Sequence, residues 1–211
     1  YLVSSLIYLA LRDSVSGTAI AVLSFLAVNM LDQKGLLEFL DPLRPALGII
    51  IQANVPLIVL TGMLAGILLK RMKEAGNEKI IILFVTLGFL SLAAGFILRN
   101  WFIISKILAT PSWGLICSGI SFIVFAAIYW VADVRGLTVW AGFVKPAGKH
   151  SLTTYLAPDI LYHAIWMSSV PILYYKQSSE PWIVIAGSIA WALLMAGLTS
   201  LLARVNVRLK L

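Results

Sequence analysis

The 211 residues are 61% hydrophobic and only 12% charged, with a mean hydropathy of +0.97. Soluble domains carry about 25% charged residues, so this chain cannot coat a water-facing surface and a water-soluble globular enzyme is excluded. The net charge of +7 sits in short connections between apolar runs, which fits membrane orientation and argues against a nucleic-acid partner.

Several runs approach the ~18 residues needed to cross ~30 Å of hydrocarbon. The expected class is therefore all-α: a polytopic transmembrane helix bundle of six to seven spans, organised as one transmembrane domain over residues 1–211. A transmembrane barrel would show ~10-residue alternating segments instead. Residues 1–11 open on Tyr1, already apolar, and read as the second half of a spanning helix that Arg12 and Asp13 end. Further N-terminal helices of the same protein are expected to complete the bundle. Residues 17–31 form a short apolar run, and 32–44 mix charges with Leu and Phe around Pro42 and Pro45, as an interfacial turn does.

Residues 48–69 read as one span carrying Gln52, Asn54 and Pro56. Gln52 and Asn54 are expected to make interhelical hydrogen bonds. Gly62 and Gly66, four apart, would let a neighbouring helix approach, either inside the bundle or across a homodimer seam. Lys70, Arg71, Lys73 and Lys79 make the most basic connection in the chain, suited to orientation or to an anionic cofactor or headgroup. Further spans are expected over 79–98, 113–132, 148–174, broken by Pro158 and near Pro171, and 182–203. Cys117 lies in an apolar run and packs as a small hydrophobe; no intrachain disulfide or metal-type spacing exists.

Seven apolar segments result, the first truncated. Lys and Arg in alternating connections divide eleven against five. The richer set holds Arg12, 70–79, 135–149 and the tail with Arg204, Arg208 and Lys210; the poorer holds Lys34, Arg44, Arg99, Lys106 and Lys176. The positive-inside rule therefore puts 70–79, 133–149 and the C-terminus in the cytoplasm.

Two places could carry chemistry. Asp159 and His163, four apart on one helical face, could form a carboxylate-oriented imidazole, or simply a buried structural pair. Lys149, His150 and Ser151 are expected at a helix start opening near Gly148. With Arg135 nearby, free backbone N–H groups there would suit phosphates, or serve capping alone. Asp133 would pair with Arg135 or cap the turn before Gly136. No nucleotide-loop, zinc-protease or nucleophile-elbow motif is present.

Order and spacing do carry a resemblance. Ile104-Ser105-Lys106-Ile107 is followed by Thr110-Pro111-Ser112-Trp113 and a serine-bearing apolar helix with Ser118 and Ser121. Then come Val131-Ala132-Asp133-Val134-Arg135-Gly136-Leu137 and Pro146-Ala147-Gly148-Lys149-His150-Ser151-Leu152 with Tyr155. This pattern resembles the C-terminal half of the heparan-α-glucosaminide N-acetyltransferase family and its bacterial relatives, most closely over 99–156. The resemblance implies a multi-span enzyme that moves an acetyl group from cytoplasmic acetyl-CoA to an amino-sugar acceptor on the other side, without a metal. It implies a bacterial inner-membrane location. The family's catalytic histidine lies ahead of an Asp-Leu-x-Phe-Pro pattern that these residues do not contain, so no catalytic residue is carried over and this chain alone is expected to be inactive. His150 also stands where relatives commonly have Asn. The competing expectation is a transporter with a midplane polar site at Asp159 and His163.

Overall fold

In a computed structural model, residues 2–11, 13–168 and 178–204 are described. The expectations for Arg12, Pro171, Lys176, Arg208 and Lys210 lie outside them, as do those for the side chains of Ser151 and Arg204. The described residues form helices joined by turns and loops, with no strand among them. Five helices are long and apolar enough to cross a membrane. Ile82, Phe89, Phe96 and Ile128 stand exposed on such helices. Large apolar side chains turned outward along spanning-length helices are what a hydrocarbon solvent selects, and they mark an integral membrane protein.

The chain folds as two compact units, 1–136 and 137–211. In the first, α1 (Leu2–Leu11) and α2 (Val15–Gln33) lead to a 3-10 turn over Glu38–Leu43. That turn matches the interfacial connection expected over 32–44, and Arg44 ties it back to Asp32 of α2 at 2.6 Å. Pro45 lies in the first turn of α3 (Arg44–Gln52), where its missing N–H costs nothing.

The single span expected over 48–69 is two helices. Ala53 takes a left-handed φ of 59°, ending α3 and starting α4 (Asn54–Met72). A Cβ residue in that conformation costs about 1–2 kcal/mol, and no glycine or Asn at that position announces the break. α5 (Asn77–Leu98) and α6 (Pro111–Tyr129) follow, and α6 runs on through a π turn over Trp130–Val134.

The tightest helix pair in this unit is α5 with α6, which run antiparallel. Side chains at Gly88 and Gly119 would collide with the partner helix: a Cβ on Gly119 would lie 2.8 Å from the Gly88 carbonyl oxygen. Gly95 lies against Ile116 in the same seam. Ile80, Phe84, Phe122 and Ala126 form the buried cluster beside it, with Phe84 packed edge-on against Phe125 at 4.7 Å. Small residues thus do their packing at 88, 95 and 119. Gly62 and Gly66, expected to admit a neighbouring helix, have no atom within 4 Å of a would-be Cβ among the described residues.

The second unit holds α7 (Ala141–Lys149), α8 (Ser151–Met167) and α9 (Pro181–Arg204). The helix expected to open at Gly148 is instead two helices meeting at His150. Thr154 Oγ1 closes that junction by donating to the carbonyls of Ala147 and His150, each at 3.0 Å. Pro158 does not break α8, which continues through it. Tyr162 stacks on Trp191 of α9 at 4.8 Å. With α1 at 10 residues and α8 at 17, the first and sixth expected spans fall short of crossing length over the described residues.

Gly119→Val should lower stability by about 1–3 kcal/mol, because backbone faces backbone there and neither can yield. Gly62→Val, at an open position, should lie within about 0.5 kcal/mol of the parent. Thermal unfolding of both variants in one detergent measures the difference.

Candidate functional site

Two places stand out in unit 1, one polar and one apolar. The first is a buried node where α2, the α3–α4 break and the α5–α6 loop meet. Asn29 and Asn54 are both fully buried. The Asn29 amide donates to the carbonyls of Gln52 and, at 3.0 Å, Ala109; the Asn54 amide donates to the Thr110 carbonyl at 2.9 Å. Gln33 adds a bond to the Leu108 carbonyl at 2.8 Å. Ser112 donates to Phe102 and Ile103 at 2.9 and 3.0 Å.

These bonds hold irregular backbone inside the protein, where its carbonyls would otherwise lack partners. Ala53 and Ala109, both left-handed, flank the node's acceptors. The bond expected of Asn54 is present, and it reaches the loop ahead of α6. Gln52 takes part through its backbone oxygen, while its side chain is exposed. Asn29 has one sequence signal only, an amide in an otherwise apolar run, and that signal does not distinguish it from a lipid-facing residue.

The second place is a groove of about 420 Å³ between α4 and α6. Its α4 wall runs from Ile58 to Leu69, roughly 16 Å at 1.5 Å per residue. Phe122 and Phe125 form the facing wall. They are held by ring contacts: Phe84 to Phe122 at 5.9 Å, and Phe125 to Tyr129 at 6.3 Å. The open face of Gly62 and Gly66 lies in this groove.

Gly66 and Leu69 also line an adjoining pocket with Lys70, Lys73, Tyr129 and Asp133, so the groove opens toward two lysines and a carboxylate. Lys70 is held at 2.8 Å by Asp13, whose backbone oxygen also accepts from Arg71 at 2.9 Å. Lys73 is exposed and outside the three ion pairs of the described residues. Asp133 makes no ion pair with Arg135. That guanidinium lies over the Trp130 ring at 4.9 Å, a cation–π contact that takes the place of the expected pair. The 70–79 connection, read as basic from sequence, therefore presents Lys73 and Lys79 exposed at this end of the unit.

In unit 2, Lys149 closes α7 and His150 joins it to α8. Lys149 thus ends α7, where its charge complements the dipole, and stands one residue before the N-cap of α8, so the expected helix start falls at His150 and Ser151. Asp159 and His163 share one face of α8, yet both are exposed and the imidazole Nδ1 lies 2.8 Å from the Asp159 backbone oxygen. With that oxygen as acceptor, Nδ1 carries the proton, and the ring is oriented by the peptide and not by the carboxylate. Among the described residues no group of His, Cys, Asp and Glu could hold a metal.

Comparisons with protein-family models, curated proteins and solved structures produced no match.

Asn54→Leu keeps the branched outline of the side chain but strips the Thr110 carbonyl of its donor; about 1–3 kcal/mol of stability should be lost, read as a lower melting temperature in detergent. The Asp13 carboxyl is held below its usual pKa, first by the Lys70 hydrogen bond and then by that of Tyr8. Its folded pKa is the lower one, so its contribution is complete above the ordinary carboxylate value and lost as pH falls through the depressed one. Melting curves from about pH 5 down to pH 2 should show the parent's advantage over Asp13→Asn shrinking with acid.

Proposed function

We propose that this chain is part of a membrane-bound acyltransferase that takes its acyl group from a cytoplasmic coenzyme A thioester, acetyl-CoA by resemblance. The acceptor would be an amine of the amino-sugar class, reached from the opposite side of a bacterial inner membrane. The observation that supports this reading is the α4–α6 groove, which opens toward Lys73, exposed and outside the ion pairs of the described residues, beside Lys70 and Asp133. By the count of basic residues, that end faces the cytoplasm, as does the C-terminus.

Lys73, Lys79 and Arg135, all exposed, would receive the phosphates of the nucleotide. Lys149 and His150 with Ser151 belong to the second unit and are tested as a separate phosphate contact of that unit. In the reaction the acceptor amine attacks the thioester carbonyl. A C–N bond forms, the C–S bond breaks, and the amine proton passes to a base as the thiolate leaves. Asp159 and His163 are the only carboxylate–imidazole neighbours at one-turn spacing in the sequence, and they are the pair to test for that role.

A second reading, a multi-span transporter, draws on the α3–α4 break at Ala53 with buried Asn54 beside it, since discontinuous helices commonly frame transported solutes. Its midplane site would sit at that break, because Asp159 and His163 are exposed in their own unit.

The test is saturable binding of labelled acetyl-CoA to membranes carrying the full protein. Lys73→Glu and Arg135→Ala should each weaken binding by about threefold or more, and raised salt should do the same. Lys149→Ala tests the second unit in the same assay. Binding indifferent to all three substitutions and to salt would sink the assignment. Solute uptake into proteoliposomes that Asn54→Ala abolishes would favour the transporter.

A further inference from the structure

The second unit carries a short helix whose two sides differ in chemistry. α7 holds Phe143 and Val144, with Trp140 just ahead of it, and all three stand exposed. Successive helical residues are about 100° apart, so these three share one side, while Lys145 and Lys149 fall on the opposite side. Trp140 turns its indole N–H back to the Leu137 carbonyl at 2.7 Å, so its exposed ring has no polar demand left. Both lysines are exposed and outside the ion pairs of the described residues. The acids of this unit are Asp159 and Glu180, exposed on other elements.

The level of α7 along α9 decides what meets those two sides. α9 has 24 residues, about 36 Å, and is long and apolar enough to cross a bilayer. It buries Met195, Ala196 and Thr199, and no residue between Pro181 and Ala190. α7 and the start of α8, which buries Thr153 and Ala157, therefore pack on it near its C-terminal end. Thr199 lies about 8 Å short of that end and Met195 about 14 Å. That is the boundary of acyl chains and headgroups, where an amphipathic helix seats its apolar face about 5–10 Å deep. We infer that α7 is an interfacial helix that binds anionic phospholipid. Trp140, Phe143 and Val144 enter the acyl chains, and Lys145 and Lys149 meet the headgroup phosphates.

A helix of nine residues, about 13 Å, cannot cross the hydrocarbon, and upright it would hold both of its sides at one depth. Lying along the leaflet, it puts the rings below and the lysines above, whose long stems reach sideways to the surrounding phosphates. His150 makes this direction possible: at ψ 52° it leaves the helical conformation, so α7 is not continued along α8. A protein helix laid on Phe143 and Val144 would cover the apolar side but bring no anion to lysines on the far side. A leaflet of anionic lipid supplies both. This surface is independent of the acyl-transfer reading and stands whether or not the chain transfers an acyl group.

The experiment places one nitroxide on the full protein in phosphatidylcholine nanodiscs, through Val144→Cys, with Cys117→Ser removing the native thiol. Collisions with oxygen, which concentrates in hydrocarbon, should there exceed collisions with a water-soluble nickel chelate. A label at Gly142→Cys, on the lysine side and with open space around it, should show the reverse order. If Val144→Cys fails to fold, Phe143→Cys carries the label in its place. Replacing part of the phosphatidylcholine with phosphatidylglycerol should draw the label at Val144 deeper, and saturably. Lys145→Gln and Lys149→Gln should each raise the half-saturating phosphatidylglycerol fraction by about fivefold.

Few collisions with either reagent at Val144 would mean that protein covers this side, another helix or a second copy, and would overturn the inference. An excess of chelate collisions there would leave the side in water, with the same consequence. A depth indifferent to phosphatidylglycerol, or a response that neither lysine substitution changes, would overturn the assignment to anionic lipid.

Discussion

Everything in the first unit hangs on a backbone-to-backbone approach between α5 and α6. A side chain on Gly119 would begin 2.8 Å from the Gly88 carbonyl. In hydrocarbon there is no hydrophobic force to press apolar helices together, so close packing of this kind must supply the association. The approach positions Phe122 and Phe125 on α6, and Phe84 of α5 holds both by ring contact. One wall of the α4–α6 groove is therefore rigid because the helix that carries it is clamped from behind.

The other wall depends on polar bonds. α4 begins at a left-handed Ala53, and the side-chain amides of Asn29 and Asn54 tie the break to the α5–α6 loop. Buried amides of this kind are costly unless paired, and each donates to a carbonyl that irregular backbone would otherwise leave bare. The node and the two lysines lie at opposite ends of α4. One end fixes how the helix enters the bundle, and the other carries Lys70, paired with Asp13, and the exposed Lys73.

The proposed function draws on that polarity of α4 more than on any catalytic constellation. The apolar groove leads toward Lys70, Lys73 and Asp133 at the end of the helix. Asp159 and His163, the most obvious reactive pair in the sequence, are oriented differently from a carboxylate–imidazole dyad, because the peptide oxygen of Asp159 lies nearer to hand for a side chain one turn on.

Hydropathy alone determined the all-helical, membrane-embedded class, because the length of an apolar run is a local property and the bilayer reads it directly. The proline-bearing turn over 38–43 and the basic connection after α4 were legible for the same reason. The break at Ala53, the junction at His150 and the choice of Gly88 and Gly119 over Gly62 and Gly66 were decided by tertiary structure. Each depends on which partner lies opposite: a loop carbonyl for Asn54, the Thr154 hydroxyl for the α7–α8 corner, a facing backbone for Gly119. Periodicity records which residues share a face, but only the assembled helices determine which of those faces is filled and which, between α4 and α6, is left open.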